Sequence, residues 1–594
     1  KMCRIAGIIS NKFSAADLYS QVKGMCDSMK HGGPDDSGVY VEGNICLGNR
    51  RLAIQDLSSA GHQPMHTADK KIWITYNGEV YNFKELRSEL ISENIDFQSG
   101  TDTEVILKAY EHWGVASFSK LKGMFAFALV DHSSNQTYLV RDPSGIKPLY
   151  YSITDDDLIF SSEVKAFKRT HYRFSEDPNW KIYLLALGHI PEPFTTFQSI
   201  QSLPAGNYLK WDNNTHSSSV QCYYSFNYTS TVNNKAEAQE LIRSALEKAV
   251  SSHLLSDASL GVFLSGGIDS SILTLLSNEK LKNNLNTLSI DLQETDYSEK
   301  KYQQLVTAQI GGSKMEYQLD YSGFKNNFHT VLNAMDQPST DGINSWFISK
   351  SAKDNGQKAV LSGIGADELF GGYPSFQRTK TVKALKNLPD SILRLSKNIP
   401  DKRYRRLYYL SYENPLGEYL FSRGFFTPHK IAEILNADFK QVDSVLRNFP
   451  PNPQFNNLKD GNRASWLEMN YYMQNQLLKD TDSMSMSHGV EVRVPFLDRD
   501  LVELVLSISP EVKFKGLSKS LLINAFSNIL PEKIWNRPKM GFSFPFQDWM
   551  KKFKEISEPD LYKNKESAKL INDFKNDKLH WSSAFALYHL EISK

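Results

Sequence analysis

Four cysteines in 594 residues are too few to staple a chain of this size, so Cys3, Cys26, Cys46 and Cys222 predict no disulfide scaffold. No stretch approaches the ~18 consecutive apolar residues of a membrane span. Lys1-Met2-Cys3-Arg4 opens no apolar segment long enough for a signal peptide. An excess of one charge is also missing. The 68 Lys and Arg stand against 67 Asp and Glu, which leaves no electrostatic footprint for nucleic acid or an anionic membrane. The basic spot from Lys402 to Arg406 reads as a solvated turn. No Gly-Lys-Ser/Thr occurs, which excludes a Walker-type phosphate loop. These absences predict a soluble cytoplasmic protein.

What is present is ordinary globular usage, 40% hydrophobic and 23% charged, which excludes a disordered, collagenous or coiled-coil chain. The length requires two domains or more. The first 200 residues read as short strands over Ile5–Ser10, Ile45–Ile54, Ile72–Tyr76, Met124–Val130 and Thr137–Val140, rich in Val, Ile, Phe and Tyr. One helix stands out among them. Thr101-Asp102-Thr103 caps a face of Val105, Ile106, Ala109, Tyr110 and Trp113, and Gly114 stops it. This texture predicts a layered α+β domain over residues 3–210. Residues 211–234 are polar and without period, predicting a linker or a polar strand pair. Beyond them, strands at Leu260–Leu264, Thr287–Ile290 and Ala359–Leu361 alternate with helices such as Ala236–Leu254. That alternation predicts a parallel-sheet α/β domain over 235–594, ending in a long helical part.

Ser265-Gly266-Gly267-Ile268-Asp269-Ser270-Ser271 follows an apolar strand and opens a helix. Glycines there let backbone approach a phosphate, and the helix start offers unpaired N–H groups. Ser265 and Ser270 add hydroxyl donors, and Asp269 is suited to Mg²⁺. The segment is similar to the pyrophosphate loop of enzymes that adenylate a substrate, splitting ATP to AMP and pyrophosphate. A second strand runs into Ser362-Gly363-Ile364-Gly365-Ala366-Asp367-Glu368. Asp269 and Asp367 would both sit at strand carboxyl ends, where an open α/β sheet forms its crevice. Together they make a Mg²⁺–triphosphate site. Lys539, in the turn Arg537-Pro538-Lys539-Met540, is suited to neutralise pyrophosphate.

At the amino end, Met2-Cys3 invites removal of the methionine. An α-amine on Cys3, with a pKa near ~8, would then serve as general base for its own thiol. Retention of Lys1 rules that mechanism out.

Together these segments resemble the glutamine-dependent asparagine synthetases, from Cys3 to about Phe546. His31-Gly32-Gly33-Pro34-Asp35, Arg50-Arg51-Leu52-Ala53-Ile54, Asn77-Gly78-Glu79-Val80-Tyr81-Asn82, Asp102-Thr103-Glu104-Val105 and Glu491-Val492-Arg493-Val494-Pro495-Phe496 carry the resemblance beside the loops above. It implies an N-terminal-nucleophile glutaminase of layered antiparallel sheets between helices, followed by an ATP-pyrophosphatase synthetase domain. Cys3 would attack the glutamine amide, with Asn77 and the Gly78 backbone donating to the oxyanion. Arg51 would fork onto the glutamine carboxylate, and Asn77, Glu79 and Asp102 would complete its site. Ammonia would pass through a tunnel. In the second site Phe263, Leu264, Ile290, Ser362 and Gly363 would surround adenosine. Ser265, Gly266, Gly267, Ser270 and Lys539 would hold phosphates, Asp269 and Asp367 would bind Mg²⁺, and aspartate would react through β-aspartyl-AMP. Homodimers are common in such enzymes.

The chain departs from the family at Arg4, Gly32, Asn49 and Ser144, where glycine, arginine, histidine and phenylalanine are usual, and at Ile364, where an acidic residue is usual. Ile364 keeps a second acceptor in view: another carboxylate, such as a sugar acid in surface-polysaccharide assembly. A weakly catalytic scaffolding homologue would have lost Cys3, Asp269 or Asp367, and all three are present. Phosphoribosyl and fructose-6-phosphate amidotransferases adenylate nothing, so the Ser265–Ser271 loop excludes them.

Overall fold

The computed structural model describes residues 3–56, 58–282, 284–294, 297–399, 401–538, 541–542 and 544–593. Lys1, Met2 and Lys539, singled out above, lie outside them. Among the described residues the first half contains twelve strands: Cys3–Ile9 (β1), Asp36–Glu42 (β2), Ile45–Arg51 (β3), Met65–His66 (β4), Ile72–Val80 (β5), Gly123–Asp131 (β6), Gln136–Arg141 (β7), Tyr150–Thr154 (β8), Asp157–Ser161 (β9), Gln201–Ser202 (β10), Asn207–Asp212 (β11) and Ser218–Cys222 (β12). They form two antiparallel sheets, β10-β8-β9-β1-β3-β2 and β12-β11-β7-β6-β5-β4.

The alternation of β6 shows why the sheets stack. Its Ala126, Ala128 and Val130 meet Ile5, Ile9 and Leu47 of the first sheet. Its Phe125, Phe127 and Leu129 turn the other way, against Val105, Ile106 and Leu86 of the helices Asp102–Trp113 and Phe83–Ser92. Small residues fill the narrow space between the sheets, and large ones fill the space under the helices. On the far side of the first sheet, Leu18, Val22 and Met25 of the helix Ala15–Ser28 cover Ala6 and Ile8. Four layers result, helix–sheet–sheet–helix. The Asp102–Trp113 helix is capped by the Thr101 hydroxyl, which accepts from Glu104 N, and ends at Gly114 with φ +57°. The expected strand Ile45–Ile54 stops at Arg51. Leu52 and Ile54 are apolar for a different reason, since they pack on Ala359 and Met486 of the second half.

β11 and β12 pair as a hairpin on the edge of the second sheet, and Asn234 caps the helix Lys235–His253. Five parallel strands follow: Leu260–Phe263 (β13), Asn286–Leu292 (β14), Ser313–Leu319 (β15), Ala359–Leu361 (β16) and Glu491–Arg493 (β17), in the order β15-β14-β13-β16-β17. β13 and β16 are neighbours, so the loops leaving them face one another. The remainder is helical. One continuous helix runs as α-helix over Asp460–Leu467, as π-helix over Glu468–Leu477 and again as α-helix over Leu478–Met486. Among the described residues, no helix is long and apolar enough to cross a membrane.

Candidate active sites

β1 and β5 belong to different sheets, yet their ends meet. Cys3 shares the inward face of Ile5 and Ile9, and its N–H donates to Asn77 Oδ1 at 2.9 Å. That bond fixes the orientation of the Asn77 amide, because only its oxygen accepts. Asn77 Nδ2 is then buried without a partner, beside the nucleophile. Gly78 follows with φ +153°, and a Cβ there would lie 2.1 Å from Met124 O. Only glycine lets β5 pass β6 so closely.

Arg51 stands directly across from Cys3 in the β1/β3 ladder. Its Nη1 donates to Ser58 O at 3.0 Å and its Nη2 to Asp56 O, while Nε has no partner. Each terminal nitrogen keeps a second N–H for a carboxylate. Asp102, at the start of its helix, accepts at Oδ2 from Tyr76 Oη (2.8 Å) and Val80 N (3.1 Å); its buried Oδ1 has no partner. Arg51 Nε, Asn77 Nδ2 and Asp102 Oδ1 are thus two donors and one acceptor buried without partners. Glu79 lies 3.5 Å from Arg493 Nη2 of the second half. Arg493 also pairs with Glu491 and donates to the carbonyls of His253 and Leu255. Asn49 is buried in a network with Gln63, Thr75 and the Tyr76 carbonyl. The Ser144 N–H donates to Asp142.

At the carboxyl ends of β13 and β16 lies a cavity of about 820 Å³, lined by Phe263, Leu264, Ser265, Gly267, Asp269, Ser270, Ile290, Ser362, Gly363 and Asp367 among others. Of the residues expected around ATP, all but Gly266 and Lys539 line this cavity, and Lys539 lies outside the described residues. Gly266, at φ +81°, presents its carbonyl to Arg537. Ser265 and Ser270 hydroxyls lie 3.0 Å apart at the start of the helix Ile268–Lys280. Ile364 lines the same cavity, as do Tyr373, Tyr419, Tyr472 and Arg423. Arg423 stacks 3.9 Å over Tyr472 and pairs with Glu468 at 3.0 Å.

Two residues there escaped the sequence reading. Lys519, in the turn after Gly516, sends Nζ to within 2.6 Å of Asp269 Oδ2 and 2.5 Å of Asp367 Oδ1. Burial alone would lower its pKa, but the two carboxylates raise it above the ordinary lysine value. Arg537 stacks 3.6 Å over Tyr302 and pairs with Glu299 at 2.9 Å, leaving Nη1 buried without a partner. Burial pushes the Glu299 carboxyl up to about 7 against the pull of Arg537. Glu368, buried beside Asp367, is likewise pushed up to about 7. A Gly-x-x-Lys turn before a short helix and an Arg two residues before Lys539 were the available signals.

The two regions are joined. Arg4, fully buried, pairs through Nε with Glu163 (2.8 Å) and through Nη1 with Asp482 (2.7 Å) on the helix Leu478–Met486. A small cavity of about 30 Å³, bordered by Arg4, Glu163, His189, Asp336, Asp480 and Asp482, lies between them. Asp480 also borders the large cavity.

Residues 2–224 match the family model of a glutamine amidotransferase domain, and residues 241–579 that of asparagine synthase. A glutaminase joined to an adenylating half defines a glutamine-using, ATP-dependent carbon–nitrogen ligase. "Asparagine synthetase [glutamine-hydrolyzing] 1" of Bacillus subtilis is 30% identical over 93% of this chain and 88% of its own length. "Asparagine synthetase B [glutamine-hydrolyzing]" of Escherichia coli is 28% identical over 94% and 85%. A putative asparagine synthetase of Methanocaldococcus jannaschii is 32% identical over 68% and 81%. The chain belongs to the glutamine-hydrolysing asparagine synthetase family, with ATP as co-substrate.

Proposed function

We propose that the chain converts aspartate to asparagine by the following route. Cys3 Sγ attacks the side-chain carbonyl carbon of glutamine. The oxyanion accepts from Asn77 Nδ2 and the Gly78 N–H, the C–N bond breaks, and ammonia leaves a glutamyl thioester that water hydrolyses. Arg51 and Asp102 hold the glutamine carboxylate and ammonium, and Glu79 closes that end. Removal of Lys1 and Met2 would convert Cys3 N into an amine, already seated on Asn77 Oδ1 and placed to accept the thiol proton.

In the large cavity the aspartate β-carboxylate attacks the α-phosphorus of ATP. The bond to pyrophosphate breaks, giving β-aspartyl-AMP. Ammonia then attacks the acyl carbon and AMP departs. The phosphate end lies on the loop Ser265–Ser271, with Arg537 beside it, and Phe263, Leu264, Ile290, Ser362 and Gly363 around the nucleoside; Lys539 is assigned to pyrophosphate from the sequence alone. Lys519 neutralises charge developing on the leaving pyrophosphate. Asp269 and Asp367 converge on one point, now taken by the Lys519 ammonium. Two carboxylates completed by phosphate oxygens suit Mg²⁺, which keeps several non-protein ligands. When bound, Mg²⁺ supplies positive charge to the triphosphate. Ammonia crosses from the Cys3 side to the large cavity.

The single observation that carries this reading is the convergence of Asp269, Asp367 and Lys519 at the phosphate loop, in a cavity whose wall helix reaches the residue after Cys3. Ile364 in that cavity favours a second reading, the same machinery acting on another carboxylate, such as a sugar acid. One assay tests both. Enzyme is incubated with ATP, Mg²⁺, aspartate and glutamine carrying ¹⁵N at the amide, and products are weighed by mass spectrometry. AMP with labelled asparagine is the expected result. Glutamate without aspartate-dependent AMP overturns aspartate as acceptor and leaves the second reading.

A further inference from the structure

Cys3 and Arg4 are consecutive on β1, so their side chains leave the strand in opposite directions. Cys3 faces the space between the sheets. Arg4 points toward the second half and ends on carboxylates of both halves, Glu163 and Asp482. Burial lowers the Arg4 pKa, but these two charges more than offset that and raise it. Asp482 also accepts from Lys147 at 3.2 Å. In its own helix it follows Asp480 and Thr481, which line the ATP cavity, and Asp480 accepts from Ser339 Oγ at 2.6 Å. One residue, Asp482, therefore separates the wall of the large cavity from Arg4.

The path of Arg4 passes over Gly32. A Cβ on residue 32 would lie 2.9 Å from Arg4 Cγ, 3.0 Å from Arg4 Nε and 3.2 Å from Met486 Cε. Positions 4 and 32 share one volume, and only one of them can carry a long side chain into it.

We propose that Arg4 is a positioning residue that couples glutamine hydrolysis at Cys3 to the state of the ATP cavity through Asp482, and that a guanidinium entering the same volume from position 32 can replace it. This rests on the two-site reading above. A guanidinium fork gripping carboxylates on both sides has little slack. A shift of the helix Leu478–Met486 moves Asp482, and Arg4 carries that movement into β1 beside the nucleophile. An ångström of misplacement there is worth about a hundredfold in rate.

The test uses the full chain and four proteins: unsubstituted, Arg4→Gly, Gly32→Arg and the double variant. Each is assayed for glutamate formed per AMP, and separately for AMP formed with ammonium chloride as nitrogen donor. Arg4→Gly should raise the glutamate-to-AMP ratio by about 5-fold or more, the low end of ordinary coupling between sites, and leave ammonia-dependent AMP formation intact. Gly32→Arg alone should lower the melting temperature, because it collides with Arg4. The double variant should recover both the ratio and the melting temperature, which no general packing defect would do. Asp482→Asn, close in volume, should raise the ratio even if Arg4→Gly does not fold. A folded Arg4→Gly or Asp482→Asn with an unchanged ratio overturns the coupling. A double variant that leaves the ratio high overturns the exchange of positions. Failure of the underlying reading looks different: the unsubstituted enzyme would make no AMP from ammonia, ATP and aspartate, removing both.

Discussion

Cys3 N donates to Asn77 Oδ1 across 2.9 Å, tying β1 of one sheet to β5 of the other. The same bond aims Asn77 Nδ2 as a donor beside the nucleophile. One side chain thus holds the cysteine in place and, on the proposed route, donates to the charge that its attack creates.

Asn77→Ala should therefore lower glutamine-dependent kcat by about 10²–10³-fold, the usual cost of one oxyanion donor. Ammonia-dependent synthesis should be unchanged. Steady-state assays with the two nitrogen donors in parallel check both halves of the statement.

Lys519 occupies the meeting point of Asp269 and Asp367. Lys519→Met should reduce ATP–pyrophosphate exchange by ~10²-fold or more while glutaminase activity persists. Lys519→Arg should not restore exchange, since a planar fork cannot replace a compact ammonium between two carboxylates. Exchange of radiolabelled pyrophosphate into ATP reads this directly.

Lys513 is buried, donating to Val505 O at 2.9 Å, and burial pulls its pKa down from 10.5 to about 7. The sign is set by proton binding. Between pH 7 and 10.5 the unfolded chain holds the Lys513 proton and the folded chain does not, so stability rises with pH in that window. The contribution is at most about 1.4 kcal/mol per pH unit. Lys513→Met should remove this slope and gain most at or below pH 7. Urea melts at pH 7, 8 and 9 compare the two proteins, and equal slopes would contradict the assignment.

Gly78→Ala places a methyl group against Met124 O and Phe125 Cα. A loss of at least about 2 kcal/mol is expected, of the size associated with strain and overpacking. Thermal unfolding should show it, together with loss of glutaminase activity.

Much of this was legible in the amino-acid order because the informative residues are contiguous. The loops Ser265–Ser271 and Ser362–Glu368 each carry their strand, turn and acid together, and adjacency of β13 and β16 brings them face to face. The strands β5 and β6 were visible through β-branched and aromatic alternation. What escaped depends on partners far along the chain. Lys519 lies 250 positions from Asp269, and nothing local distinguishes it from a solvated lysine. Leu52 and Ile54 read as strand because apolar runs look alike whether a sheet or a domain contact buries them. The helix Ala15–Ser28 carries a narrow apolar stripe among polar residues and a glycine, so its pattern was weak. Arg4 and Gly32 can be read from the sequence as compensating changes in charge, but that they share one volume is visible only in space.

The ten π-helical residues Glu468–Leu477 have a mechanical meaning. They lie between the part of the helix packed on the helical region and the part that bears Asp480 and Asp482. A wider coil there sets the angular phase of everything that follows. Removing one residue there with the pitch of the rest unchanged would turn Asp482 by roughly 100° about the axis, away from the guanidinium it holds. The length of that segment is thus a dial setting for the Arg4–Asp482 pair.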